Sequence, residues 1–144
     1  MNKERFVHYK VGDSDIDSTH WILLTGLSDI VDSIKSKDNY PPMTEKLVIK
    51  FQTLLNTFNE HLMEEEGFML DSKYPYIQYH MDEHKRMHTV INSSLVMLTE
   101  KPTTSSTINA ANALGELFEY HIDYIDRQFF SWVQENNILL DKTK

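Results

Sequence analysis

Cysteine is absent from the 144 residues, which removes disulfide frameworks, thiolate zinc sites, iron–sulfur clusters and cysteine nucleophiles together. Any bound metal must therefore rely on nitrogen and oxygen donors. Glycine and proline are scarce, at 4 of each, too few for the many tight turns of a sandwich or barrel. Basic residues are outnumbered, 14 Lys and Arg against 22 Asp and Glu, for a formal charge of −8. With no basic stripe, the chain is not expected to bind nucleic acid or an anionic membrane surface. No stretch approaches the roughly 18 apolar residues of a membrane span, and "MNKERFVHYKVGDSDID" lacks the apolar core of a signal peptide. These features predict a soluble, cytoplasmic chain without membrane insertion. Its length suits a single domain, residues 1–144, able to bury a core unaided.

What the sequence does contain is helical periodicity. After an irregular N-terminal arm, residues 1–16, Asp17 or Ser18 is placed to cap a first helix carrying Ile22, Leu23, Leu27, Ile30, Val31 and Ile34 at helical spacing. That helix is expected to stop in the polar "KSKDNYPP". Thr44, Leu47, Val48, Phe51, Leu54, Leu55, Phe58 and Leu62 describe a second, ending near Gly67. Ile77, Met81, His84, His88, Ile91, Leu95 and Leu98 mark the third, which "EKPTTSST" breaks. The fourth carries Ile108, Ala111, Leu114, Leu117, Phe118, Ile122, Ile125, Phe129 and Val133. Short connections between four such helices predict an all-α, up-down-up-down antiparallel bundle over about residues 17–135, followed by a short C-terminal tail with no assigned role. A bundle can hold a cofactor, transmit a signal or serve as scaffold, so function has to be read from side chains.

The stretch "IQYHMDEHKRMH" sets His80, His84 and His88 four residues apart. That spacing advances about 400° around a helix, so the rings share a face. Alone, such a stack is as readily a solvated stripe as a metal grip. The other helices add to it. The first begins with His20, the second carries His61 with Glu65 four residues on, and the fourth carries His121 with Asp126 five residues on. Burying these imidazoles unpaired would cost a few kcal/mol each, a cost that a shared metal centre relieves. Neutral imidazoles with two carboxylates suit a pair of borderline first-row ions, the acids being able to bridge them.

The ordered set H, HxxxE, HxxxH, HxxxxD on successive helices resembles the hemerythrins. "GDSDIDSTH" is similar to the entry of bacterial members into their first helix, and "YPYIQYHMDEH" to their loop and third helix. The resemblance runs from Val11 to Trp132. It implies two non-haem iron ions, cycling between Fe2+ and Fe3+ and bridged by oxo or hydroxo, with O2 as ligand. His80, His84 and His121 would fill one iron. His20 and His61 would hold the other and leave it open, while Glu65 and Asp126 bridge both. Leu23, Leu62, Leu117, Phe118 and Ile122 would line the O2 pocket. Bacterial members often have Gln and Lys either side of the first histidine, where this chain has Thr19 and Trp21. They often have Phe at the position of Leu62 and Trp at that of Leu117. His88 has no counterpart and is expected to be a polar residue near the bundle edge, with a role behind the ligands as the alternative. His8 is expected at the surface.

The resemblance implies reversible O2 binding without enzymatic turnover: carriage, storage or delivery to an oxidase. The alternatives are O2 or redox sensing for a signalling partner and, less well matched, a di-iron oxidase or peroxidase. Ferritin-like carboxylate enzymes use Glu-x-x-His pairs, and no histidine here has a glutamate three residues before it.

Overall fold

The computed structural model describes residues 6–35 and 43–143; the polar stretch 36–42, where the sequence predicts the end of the first helix, lies outside them. α1, Ser14–Lys35, starts earlier than the sequence suggests. Asp13 is its cap, accepting the N–H groups of Asp15 and Ile16 at 3.1 Å each. Asp17 already lies inside the helix. Its carboxylate reaches back to the amides of Val11 at 2.8 Å and Gly12 at 3.2 Å, pinning a bend in which Gly12 adopts φ 96°. The buried stripe of α1 is Ile16, Leu23, Leu24, Leu27, Ile30 and Ile34. Ile22, expected inside, is 56 % exposed, because the stripe is centred on the Leu23, Leu27, Ile30 line and Ile22 sits about 100° to one side of Leu23.

α2, Glu45–Ser72, is capped by Thr44, whose side chain accepts the Leu47 N–H. It runs past Gly67, since the next turn still buries Phe68 and Met69. It ends where Lys73 turns left-handed at φ 58°, with Lys73 N–H bonded to Leu70 O and Tyr74 N–H to Met69 O. α3, Ile77–Glu100, buries His80, His84, Met87, Ile91, Ser94 and Leu98. Thr103 and Ser106 then form a reciprocal capping box that opens α4, Thr104–Tyr120. α4 passes directly into a π-helical turn, His121–Asp126, and continues as α5, Arg127–Glu135.

α1 packs against α2 and α4, and α3 against the same pair. The contacts fix the direction of each helix. His20 meets His61 while Gly26 approaches Leu54, so residue numbers rise on α1 as they fall on α2. Asn59 meets His88 and Asn92 while Glu66 faces His84, which makes α3 antiparallel to α2. His84 meets His121 while Met97 meets Ser106, and the fourth rod runs antiparallel to α3. This is the all-α up-down-up-down bundle that the sequence predicts. Fully buried Phe51, Phe58, Phe118, Phe129 and Phe130 fill it, with Phe58 and Phe118 edge-to-face at 4.9 Å.

The described part of the arm lies over the bundle. Phe6 packs against Trp21, and Arg127 donates to the carbonyls of Lys10 at 2.8 Å and His8 at 2.6 Å while pairing with Asp123. The tail returns so that Lys142 bridges Asp13 and Asp15 at 2.8 and 2.7 Å. Among the described residues no helix is long and apolar enough to cross a membrane.

Candidate metal centre

Each of the four rods of the bundle brings one or two polar side chains to a single buried cluster. His20 comes from α1, His61 and Glu65 from successive turns of α2, His80 and His84 from successive turns of α3, and His121 and Asp126 from the π turn. None is more than 3 % exposed. Five residues of α-helix would carry Asp126 about 140° away from His121. The π turn removes that offset: the Arg127 N–H bonds back to Ile122 O, five residues before it. The inserted residue brings the Asp126 carboxylate to 2.9 Å from His121 Nε2.

All five imidazoles present Nε2 to the cluster. His61 Nε2 lies 3.1 Å from Glu65 Oε2 and His84 Nε2 3.3 Å from Glu65 Oε1. His20 and His80 approach Asp126 at 3.3 and 3.0 Å, on Oδ2 and Oδ1 respectively. The two oxygens of each carboxylate thus face opposite halves of the cluster. His20 Nε2 stands 3.0 Å from His61 Nε2, and His84 Nε2 3.2 Å from His121 Nε2. Two donors about 2.1 Å from one ion and at right angles to each other are separated by about 3 Å.

Several of these close approaches are not hydrogen bonds, because the N–H directions miss the oxygens. Both oxygens of Glu65, both of Asp126 and Nε2 of His80 are buried without a hydrogen-bond partner. Unsatisfied polar atoms at this density are costly unless something else occupies the point on which they converge. A cation fits that point. Two overlapping groups can each hold one: Glu65, His80, His84, His121 and Asp126, and His20, His61, Glu65 and Asp126. In each group the donor atoms lie within 4.8 Å of one another, and Glu65 and Asp126 belong to both.

Without a cation the cluster holds protons instead. Burial works against charging His20 and His84, but the adjacent carboxylates outweigh it and raise each to about 9, Asp126 and Glu65 acting on His20, Glu65 and Glu66 on His84. His80 is raised by the same balance of burial against Asp126 and Glu65. Burial pushes Glu65 up, yet His61, His20 and His80 hold it well below the ordinary carboxylate range. Asp126, pushed up by burial and by the Glu65 charge, is likewise held low by His121 and His20.

Around the cluster, Phe118 stands edge-on to His20 at 5.4 Å and to His61 at 6.1 Å between ring centroids. Leu23, Leu62 and Ile122 are fully buried, whereas Leu117 is only partly so and sits at the margin of the pocket the sequence suggests. His8 is exposed. Three neighbours escape sequence reading. Tyr74 is buried edge-on to His80. Glu66 lies behind His84, its Oε2 3.6 Å from Nδ1. Asn59 holds His88 through a 2.7 Å contact with Nδ1. His88 is therefore half-buried and partnered, not a free edge residue. The signal available for Glu66 was chemical: an imidazole coordinating through Nε2 needs an acceptor for Nδ1–H.

Fold and site together define a helical-bundle metalloprotein with imidazole and carboxylate donors. A family model described as the hemerythrin HHE cation binding domain matches residues 11–133. The chain belongs to that family, and the buried cluster offers two groups of side chains that could hold the cations the family binds. No curated protein and no solved structure matches the chain.

Proposed function

We propose that this chain binds O2 reversibly at a pair of non-haem irons and catalyses no reaction of its own. The observation that carries the reading is the asymmetry of two donor sets sharing both carboxylates, with His80, His84 and His121 on one side and only His20 and His61 on the other. Five protein donors would hold one ion and four the other, so the second would have one place more for an exogenous ligand such as O2. In this reading His20, His61, His80, His84, His121, Glu65 and Asp126 would hold the two irons, which when bound would supply the electrons that O2 binding requires.

The protein's own contribution is to fix these donors and keep their surroundings dry. Phe118 touches both His20 and His61, and Leu23, Leu62 and Ile122, each within three residues of a site histidine, are fully buried. Among these four no side chain can donate a proton. Reductive consumption of O2 needs protons, so an apolar lining supports holding and releasing O2 over turning it over. The purified protein should contain two irons per chain and show a visible spectrum that changes on deoxygenation and returns on readmission of air. An iron-free, colourless protein, or one bleached irreversibly by a single exposure to O2, would overturn this function.

A further inference from the structure

Among the site imidazoles, His84 is distinguished by what stands behind it. Its Nδ1 faces a carboxylate oxygen, Glu66 Oε2 at 3.6 Å. Both His84 Nδ1 and Glu66 Oε2 are buried without a hydrogen-bond partner, and Glu66 Oε2 lies 3.7 Å from His88 Nε2, so these two approaches are ion-pair distances, a few tenths of an ångström longer than hydrogen bonds. The other nitrogen of His88, Nδ1, is 2.7 Å from Asn59 Oδ1, and Asn59 Nδ2 in turn approaches Asn92 Oδ1 at 3.4 Å. Four side chains thus alternate between two helices: Asn59 and Glu66 from α2, His88 and His84 from α3. Their spacing makes this a built feature. Seven residues on α2 are close to two full turns, and four on α3 close to one, so both pairs face the same seam.

We propose that Asn59, His88 and Glu66 form a brace that holds the His84 ring with Nδ1 protonated and Nε2 turned to the cation, with His88 as the positioning residue that orients the Glu66 carboxylate. A coordinating imidazole that donates its second N–H to a carboxylate is fixed in tautomer and becomes a stronger donor. Glu66 is one residue from Glu65, and a carboxylate left to swing freely there would compete for the same cation. With a proton on each ring nitrogen, His88 gives Nδ1–H to Asn59 Oδ1, which fixes the ring, and turns Nε2–H to Glu66 from the opposite side. The brace rests on cation binding by the cluster and not on O2, so it can be tested with a redox-inert ion.

The experiment is Zn2+ titration of the metal-free chain against a chromophoric chelator, for the parent, His88→Leu, His88→Gln, Glu66→Gln and the Glu66→Gln/His88→Leu pair. His88→Leu should weaken one of the two Zn2+ ions by about 10-fold, the lower end of what loss of an outer partner costs, and leave the other within about twofold. His88→Gln, which retains a donor toward Glu66, should recover most of the loss. The double variant should be no weaker than Glu66→Gln alone, because His88 acts only through Glu66. Nitrogen-15 spectra of the Zn2+-loaded parent should show His84 protonated at Nδ1. Equal Zn2+ affinity in the parent and His88→Leu would overturn the brace. So would additive losses in the double variant, or a His88→Gln protein as weak as His88→Leu. A parent chain that takes up no Zn2+ overturns cation binding itself, a result distinct from all of these.

Discussion

His121 and Asp126 stand five residues apart and meet at 2.9 Å, because the backbone between them is wound as a π turn. On α2 the equivalent pair, His61 and Glu65, meets at 3.1 Å across an ordinary four-residue spacing. The two carboxylates therefore reach the same cluster by different backbone routes, one of which accommodates an additional residue.

That difference predicts how the fourth rod tolerates changes in length. Deleting exposed Tyr124 leaves His121 and Asp126 four apart, a spacing that α-helix already serves at His61 and Glu65. Cation stoichiometry should survive. Inserting one alanine after Tyr124 moves Asp126 a further 100° or so around the helix and should abolish tight binding while circular dichroism still reports a helical bundle. Metal analysis of the two proteins decides it; an insertion variant that keeps both cations would show that the π turn does not set the position of Asp126.

The metal-free chain should have an unusual pH profile. His20 and His84, raised from 6.5 to about 9, contribute stability that is complete below pH 6.5 and lost as pH rises through 9. Glu65 and Asp126, held below 4.5 and 3.8, contribute stability present above those values and lost as pH falls through their depressed ones. Thermal unfolding of the metal-free protein should therefore peak between about pH 4.5 and 6.5. Cation binding needs neutral imidazoles, so loading near pH 7 should release protons and shift the optimum upward. A metal-free midpoint that climbs from pH 6.5 to 9 would contradict these assignments.

The three adjacent glutamates should separate in function. Glu64 is exposed, Glu65 fully buried in the cluster and Glu66 behind His84. Glu64→Gln should leave cation affinity unchanged within about twofold. Glu65→Gln should lose more than the roughly 10- to 100-fold of an outer partner, since both donor sets include it. Glu66→Gln should fall between. An equal loss in Glu64→Gln would move the carboxylate assignment.

Asp17 gives a prediction about the fold alone. Its carboxylate satisfies the Val11 and Gly12 amides, so Asp17→Ala should cost about 1–3 kcal/mol in urea unfolding of the metal-free chain. An unchanged midpoint would mean that the bend is held by other contacts, such as those of Arg127.

If dryness protects bound O2, Ile122→Glu should retain iron and shorten the lifetime of the oxygenated state. Ile122 is fully buried beside His121, and a carboxyl group there brings a proton donor and water. Spontaneous oxidation should accelerate by roughly 100-fold, the low end of what a positioned proton donor contributes. Time courses at equal iron content and equal helicity provide the check; equal lifetimes would remove the apolar pocket as the cause.

The sequence by itself determined the helical class, the order of the donors and the pairs four residues apart, because an α-helix repeats every 3.6 residues and a side chain's angular position follows from counting. His61 with Glu65 and His80 with His84 were legible in this way. Only the tertiary structure decided what depends on distances across helices or on a departure from that period. Counting alone would turn Asp126 away from His121; the π turn turns it back. Counting places Ile22 inside, but the rotation of α1 that buries Leu24 leaves it in solvent. Gly67 read as a terminator, yet Phe68 and Met69 found neighbours to bury against and carried α2 on to Lys73. His88 looked like a surplus member of the stack, one turn beyond the ligands. Its partners, Asn59 and Glu66, lie on the facing helix at a sequence distance that no local pattern encodes, and they become its neighbours only when α2 and α3 pack in this register.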